Sequence, residues 1–178
     1  VGTPAPVTVK RVDKNGTEVT ATYTPTVTRV TPTSTNAEST GLQGQPQSGK
    51  PTFSPGDQAV PIDMTKPMTF ENGTDTLVVA NQGTYTINSD GSITFTPDKQ
   101  FTGKATPVTV KRVDANGTEI TATYTPTVTK VTPTGTNAES TGIQGQPQNG
   151  TPTFTPGDSA VPIDMDSPMT FDDGQPKK

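Results

Sequence analysis

The chain contains no cysteine, no histidine and no tryptophan. Without cysteine there is no disulfide framework, no thiolate nucleophile and no thiolate metal site. Without histidine, the commonest general base and transition-metal ligand is missing as well. A threonine-rich chain without cysteine suits an exported protein that does not depend on redox conditions.

Apolar and charged residues are also scarce. The chain has 26% hydrophobic and 17% charged residues, whereas soluble domains average about 45–50% apolar residues, counting glycine, and about 25% charged residues. The 19 prolines and 17 glycines amount to about a fifth of the chain, less than the roughly 25–30% of an unstructured low-complexity sequence. We therefore expect one part of the chain to fold and another part to remain disordered.

The charge and the hydropathy pattern exclude two classes of partner. A net charge of −4 gives no basic patch, so we expect no nucleic-acid binding. No apolar run approaches the roughly 18 residues of a membrane span, so we expect no membrane insertion. There is neither an initiator methionine nor a signal peptide, and we interpret the chain as a piece of a longer protein.

An internal repeat is the strongest signal in the sequence. Val7 matches Val108 and Tyr23 matches Tyr124, each at an offset of 101 residues. The match continues without a gap from residues 6–73 to residues 107–174. Solenoid repeats have periods of only about 20–50 residues. The long period therefore indicates one small domain per repeat, strung in a line.

Composition sets the predicted domain boundaries. Two segments hold almost no large apolar residues and cannot bury enough surface to offset the entropy of ordering them. We expect residues 31–50 and 131–151 to be linkers, and residues 51–130 to be the one complete folded domain. Residues 1–30 are then the C-terminal half of the preceding repeat, and 152–178 are the N-terminal part of the next. We predict both to be disordered, because neither contains a counterpart of residues 76–101.

Residues 108–128 have the pattern of a β-hairpin. Valine, isoleucine, alanine and tyrosine alternate with threonine along both arms, which is the period of strands with one buried face. A loop at Ala115-Asn116-Gly117 puts glycine at the left-handed position. It pairs Val110 with Ala122 and Val108 with Tyr124, the register that the alternation also requires. Arg112 falls on the apolar side near the turn, where its stem can lie on apolar surface with its head in water.

A second hairpin is predicted at residues 84–96. A loop at Ser89-Asp90-Gly91 pairs Ile87 with Ile93 and Tyr85 with Phe95. No segment has a helical period. The predicted fold is therefore all-β: one small antiparallel β-sandwich or rolled sheet of about 80 residues and five or six strands, flanked by disordered segments.

Further core residues are expected around these hairpins. Phe53 is expected to fix the first segment of the domain to the core, and Phe101 is expected to close one end of the core. Pro61 and Pro67 restrict the segment between Phe53 and the hairpins to irregular or edge structure. The core candidates in that segment are Val60, Ile62, Met64, Met68 and Phe70.

Four Asn-Gly-Thr triplets match the N-glycosylation pattern. They begin at Asn15, Asn72, Asn116 and Asn149. Asn-Gly is also favoured in tight turns, and we interpret all four as turns. O-linked sugar on the linker threonines and serines is an alternative use of those segments.

No arrangement of side chains predicts a catalytic, cofactor or metal site. Asp57, Asp63 and Asp98 could contribute oxygen ligands to Ca²⁺, but solvated turn carboxylates explain them better. The carboxylate pair Asp172-Asp173 lies in a tail predicted to be disordered and cannot hold the geometry of acid–base catalysis. A Lys–Asn crosslink beneath a carboxylate has its ingredients in Lys104, Lys111, Asn81, Asn88 and Glu119, although both lysines are expected near the surface. We expect no enzyme.

Three phrases of the sequence resemble one known family. PTFTPGD followed by AVPID, then GTYTINSDGSITFTPDKQFTG, then ATPVTVKRVDANGTEITATYTPTV, are similar to the repeats of streptococcal fibrillar adhesins of the CshA type. The resemblance implies an extracellular stalk of many repeats, covalently anchored to the cell wall through a C-terminus of the parent protein. It also implies that host or microbial ligands bind to other regions of the parent.

Two functions follow as alternatives. The first is a structural repeat of a semi-flexible surface fibril, monomeric, which projects a distal adhesive region. The second is a β domain that itself binds carbohydrate or protein. The aromatic residues favour the first, because the alternation assigns all of those in residues 51–130 to the core and leaves no exposed platform for a sugar.

Overall fold

A computed structural model describes residues 1–172, and this part of the chain contains strands and no helix. The strands before residue 51, the predicted start of the folded domain, are β1 (Val7–Val12), β2 (Glu18–Tyr23), β3 (Thr33–Thr35), β4 (Ala37–Leu42) and β5 (Gln47–Gly49). Those that follow are β6 (Thr52–Ser54), β7 (Thr69–Phe70), β8 (Thr76–Val79), β9 (Gly83–Ile87), β10 (Ile93–Pro97), β11 (Gly103–Lys104), β12 (Val108–Val113), β13 (Glu119–Thr129), β14 (Thr134–Thr136) and β15 (Thr153–Thr155). The all-β prediction is confirmed.

A four-stranded sheet has the order β5-β10-β9-β8. Its central hairpin pairs Ile87 with Ile93 and Tyr85 with Phe95, which confirms the predicted register. Gly91 has a φ of 82°, the left-handed conformation that the loop needs. Local turn chemistry and alternation therefore determine the central hairpin of this sheet.

The second sheet contains β11, β13, β12 and β7, with β4 along the other edge of β13. β12 and β13 pair Val108 with Tyr124 and Val110 with Ala122, again as predicted. Arg112 is half-buried near the turn, and its Nη1 donates to the carbonyl oxygen of Lys66 at 3.3 Å. The 11-residue strand β13 pairs with β4, β11 and β12 and is the centre of this sheet.

The core lies between the two sheets. The Tyr85 ring packs against Phe95 with ring centroids 4.5 Å apart, and it meets Tyr124 of the opposite sheet edge-on at 6.1 Å. Phe101 is half-buried and meets Phe95 edge-on at 6.3 Å, at the edge of the core. The buried apolar side chains are Met68, Phe70, Tyr85, Ile93, Phe95, Ala105, Val108, Val110, Ala122, Tyr124 and Val128.

Three core candidates from the proline-rich segment are less buried than predicted. Val60 and Ile62 are half-buried, and Met64 is 70% exposed. The backbone of this segment is held by the β12–β13 turn, because Ala115 N donates to the carbonyl oxygen of Pro61 at 2.9 Å. Residues 60–64 therefore lie along the end of the domain, whereas Met68 and Phe70 of the same segment are buried in the core as predicted.

The prediction that residues 31–50 form a linker is wrong. β4 pairs in parallel with β13, and β5 pairs with β10, so each sheet takes one strand from this segment. The segment is held by backbone pairing and by polar side chains: Gln47 is 9% exposed. The prediction failed because it counted apolar area alone. The domain also contains one parallel pair, where the prediction had antiparallel pairs throughout.

The flanking segments carry strands where the sequence predicted disorder. β1 and β2 form a hairpin in which all twelve residues are exposed, and its register repeats that of β12 and β13. β14 pairs with β15 as β3 pairs with β6. Short-range pairing and turn chemistry set the register of β1 and β2, whereas β14 and β15 pair across the 16 residues that separate them. The predicted disorder of residues 173–178 lies outside the described residues.

The complete unit therefore spans about residues 33–129, from β3 to the end of β13. It is larger than the predicted 80 residues because β3, β4 and β5 belong to it. Its length approaches the 101-residue offset of the repeat, so little chain is left to connect one unit to the next. After Thr129 only four residues precede β14.

Candidate functional site

Two of the three carboxylates considered for a cation accept hydrogen bonds from their own turns. Asp57 Oδ1 accepts a hydrogen bond from Ala59 N at 2.8 Å. Asp63 Oδ1 accepts from Thr65 N at 3.0 Å and from Thr65 Oγ1 at 2.6 Å, and the Thr65 hydroxyl is the main cause that lowers the pKa of Asp63. Asp98 lies in a turn, where its N donates to the carbonyl oxygen of Gln82 at 2.9 Å. Residues 1–172 contain no group of three or more acidic, histidine or cysteine residues that could hold a metal.

Three of the four Asn-Gly-Thr triplets form left-handed turns. Gly16, Gly73 and Gly117 have φ values of 85°, 82° and 80°. Asn149-Gly150 differs: Gly150 lacks a positive φ, and its counterpart is Gly49 in strand β5. The turn interpretation is wrong at this fourth triplet.

The residues considered for a Lys–Asn crosslink lie on separate elements. Lys111 Nζ is 3.8 Å from Glu119 Oε2 in an ion pair across β12 and β13, and Lys104 is exposed. Asn88 donates through Nδ2 to Ser92 Oγ and Thr94 Oγ1, each at 2.9 Å, while Asn81 has a φ of 61° in the turn after β8. The structure pairs one lysine with the carboxylate and brings neither asparagine into that pair.

The aromatic side chains of the complete unit face inward. Phe70, Tyr85, Phe95 and Tyr124 are fully buried, and Phe53 and Phe101 are half-buried against the core. Exposed aromatics lie in the incomplete units, where Tyr23, Phe154 and Phe171 are 68%, 53% and 57% exposed. Each of these three is the counterpart of a core residue. Asp172 is exposed, and its partner Asp173 lies outside the described residues.

The feature that sequence reasoning missed is a seam along β13, formed by residues 34–43 against residues 121–131. Six residue pairs run in parallel from Ala37–Tyr124 to Leu42–Thr129. Ser39 Oγ lies 2.7 Å from Tyr124 Oη, and Gln47 Nε2 donates to the carbonyl oxygen of Thr127 at 3.1 Å. The sequence signal for this seam lay in polar residues, since Ser39 and Gln47 recur as Ser140 and Gln148 in the second copy.

The seam determines where the chain enters and leaves the domain. Because the two strands are parallel, the start of β4 lies beside Tyr124, and the end of β13 lies beside Leu42. The five residue steps between these points correspond to about 17 Å at roughly 3.3 Å per residue. Nowhere in residues 1–172 is there a helix long and apolar enough to cross a membrane.

The fold defines a class: a tandemly repeated β domain whose first and last long strands run side by side. The family model described as the surface adhesin CshA repetitive domain matches residues 1–27, 29–128 and 130–178. The chain belongs to this family of surface adhesin repeats, which confirms the resemblance found in the sequence.

The solved structures that match this chain include the NMR structure of repeat domain 13 of the fibrillar adhesin CshA from Streptococcus gordonii, with 63% sequence identity. The alignment covers 39% of this chain and 90% of that chain, with a TM-score of 0.23. No curated protein matched the chain.

Proposed function

We propose that the chain is a segment of the stalk of a bacterial surface fibril, in which successive β domains hold a distal adhesive region away from the cell. The observation that carries the proposal is the parallel pairing of β4 with β13. In the complete unit the chain enters and leaves at opposite ends of this ladder, which supports an arrangement in which successive copies continue in one direction.

The joints of this stalk are shorter than the 20-residue linkers predicted from composition. Four residues separate β13 from β14. Val131, which lies among these four, is half-buried, and its N donates to Gln43 Oε1 at 3.3 Å. A joint of this length limits bending between units, which supports a stalk of restricted flexibility.

The parent protein, in this proposal, is attached covalently to the cell wall through its C-terminal region and is monomeric. Host or microbial ligands bind to its other regions, and the repeat itself has neither catalytic activity nor a nucleic-acid partner. The inward-facing aromatic residues of the complete unit support a structural role over carbohydrate binding by the repeat itself.

The test is small-angle X-ray scattering on proteins with one, two and four complete repeats. A stalk requires the maximum dimension to rise by a constant increment with each repeat, and the forward scattering to remain that of a monomer. A dimension that grows only as the cube root of mass would mean that the repeats collapse together, which contradicts the proposal. Binding of the single repeat to a glycan or host-protein array would favour the alternative function.

A further inference from the structure

Hydrogen bonds extend the seam beyond its six ladder pairs in both directions. At one end, Ser34 Oγ donates to the carbonyl oxygen of Thr121 at 2.6 Å, and Thr123 N donates to Asn36 Oδ1 at 2.9 Å. At the other end, Gln43 N donates to the carbonyl oxygen of Thr129 at 2.9 Å. The first strands of the unit are therefore bonded along almost the whole of its last strand.

A pull on the two ends of the chain loads this seam lengthwise. Force arrives before β4 and leaves after β13, and in a parallel pair these points lie at opposite ends of the ladder. The strands can then separate only by sliding, so the bonds of the seam share the force. The hairpin β1–β2 has the contrasting geometry: Val7 and Tyr23 are paired, so the same pull opens its bonds one at a time.

Sliding of the seam also requires the core to open. Tyr124 lies in β13 with 0% of its surface exposed, and its ring occupies the space beside Gly49. Movement of β13 relative to β4 and β5 must pull this ring out of the core and break its contact with Ser39 Oγ. The strands β5–β12 lie between β4 and β13 in sequence, so the chain that forms them carries no tension until the seam fails.

We propose that the β4–β13 seam is a tension clamp, which sets the force at which the repeat unfolds when the fibril is pulled. The proposal deepens the stalk function and rests on it. A clamp of this kind keeps the unit folded while the fibril is under tension. When it yields, roughly 90 residues are released, which adds about 300 Å of length at ~3.3–3.6 Å per residue.

The first test compares two directions of pull on the same fold by single-molecule force spectroscopy. The full chain lacks cysteine, so one introduced thiol defines the second attachment point, with the first at the N-terminus. A pull between the N-terminus and T129C loads the seam lengthwise. A pull between the N-terminus and T121C, which lies beside Ser34 at the start of the seam, separates the two strands one bond at a time. Both threonines are exposed. We expect a several-fold higher unfolding force for T129C, with equal stability of the two variants in urea.

The second test uses three matched asparagines. Asn36→Ala removes the acceptor of the Thr123 N–H in the seam, whereas Asn88→Ala removes side-chain hydrogen bonds of the β9–β10 hairpin. Asn137→Ala changes the counterpart of Asn36 in the incomplete unit. Forced unfolding is governed by the unfolding rate. We therefore expect only the change at Asn36 to lower the unfolding force of the full chain pulled through its termini.

Two results would overturn the clamp: equal forces in the two pulling directions, or equal force losses for Asn36→Ala and Asn88→Ala. The scattering series with one, two and four repeats tests the stalk separately. Linear extension combined with direction-independent unfolding would overturn the clamp alone. Compact arrays would contradict the stalk, whatever the unfolding forces are.

Discussion

At position 49 the backbone of β5 lies against the Tyr124 ring. A Cβ atom on Gly49 would stand 2.3 Å from Tyr124 Cε2 and 2.6 Å from Cδ2. The ring is buried and its hydroxyl lies 2.7 Å from Ser39 Oγ, so it cannot move aside without loss. Glycine is required here by close approach, since position 49 has no positive φ.

Gly49→Ala is therefore expected to destabilise the domain. Overpacking of a well-packed core costs about 1–3 kcal/mol, whereas replacing glycine in a strand recovers only about 0.5–1 kcal/mol of backbone entropy. The net change is a lower free energy of unfolding, measured by urea denaturation. The matched control is Gly150→Ala, where the added Cβ would lie 3.5 Å from Ala138 Cβ in ordinary contact. Equal stability of the two variants would contradict the position of the Tyr124 ring.

The buried tyrosines make stability depend on alkaline pH. Burial raises the pKa of the Tyr85 hydroxyl, and the electrostatic effect of the neighbouring Tyr124 raises it further. Burial also raises the pKa of the Tyr124 hydroxyl. In the unfolded chain tyrosine ionises near pH ~10. A raised pKa in the folded state means that the folded state holds the proton more tightly. This contribution is complete below pH ~10 and is lost as the pH rises towards the folded-state values.

We expect the free energy of unfolding to fall above pH ~10, since ionisation of the unfolded chain then draws the equilibrium towards it. The measurement is urea denaturation over a series of pH values, with tyrosinate absorbance recorded in parallel. The chain has three tyrosines, and Tyr23→Phe removes the absorbance of the exposed one. Ionisation of the remaining two before any unfolding would contradict their burial.

Individual residues differ in how far the sequence predicts them. The burial of Tyr85, Phe95 and Tyr124 follows from alternation, because side chains of one parity in a hairpin all lie on the same face. The exposure of Met64 could not be predicted in this way, since no periodicity determines which side chains turn inward in the irregular segment between Pro61 and Pro67. Gln47 was missed for another reason: its burial depends on hydrogen bonds to strands distant in sequence.

At the scale of elements, the chain contains the same hairpin twice in different surroundings. Val9 in β1 is 58% exposed, while its counterpart Val110 in β12 is fully buried. Both hairpins have the same pairing. The difference is the surroundings, because β12 and β13 are flanked within their sheet by β7 and β4 and are covered by the opposite sheet. An isolated two-stranded hairpin is at best marginally stable in water.

Amide hydrogen exchange should separate these two hairpins. Amides of β12 and β13 are expected to exchange through global unfolding of the domain, and those of β1 and β2 through local opening, at rates faster by orders of magnitude. Each residue of β1 and β2 has its control 101 positions later in the same sample. Equal protection of the two hairpins would mean that the first hairpin has found a partner surface, and would contradict its exposure.

Hairpins are the elements that this sequence predicts best, because turn chemistry and alternation act within about ten residues. β4 carries no such signal. Its sequence, AESTGL, does not alternate between apolar and polar residues, and its pairing with β13 joins residues 87 positions apart. Such non-local, largely backbone pairing leaves little trace in local composition. The candidate site of the domain, the seam, therefore lay in the segment predicted to be a linker.

At the scale of the whole molecule, the unit boundary decides how the repeat works. If the unit began at residue 51, the domain would lack β4 and β5, and successive domains would be joined by flexible tethers of about 20 residues. With the boundary near residue 33, the first and last strands pair and the joint shortens to four residues. The same period of 101 residues therefore gives a different stalk according to where it is divided.

A protein comprising residues 31–131 is expected to fold, whereas one comprising residues 51–130 is not. The shorter fragment loses β4, which pairs with β13, and β5, which pairs with β10. With them it loses Ser39 and Gln47, which contact Tyr124 and Thr127. It would expose part of the core while leaving buried polar groups without partners, a combination that costs several kcal/mol, comparable to the roughly 5–15 kcal/mol of stability of a typical domain. Amide shift dispersion and urea unfolding of the two fragments measure the difference. Removal of residues 1–30 from the full chain is the matched control, because the exposed hairpin β1–β2 can be lost without changing the core. A folded 51–130 fragment would contradict this boundary and restore the long flexible linkers.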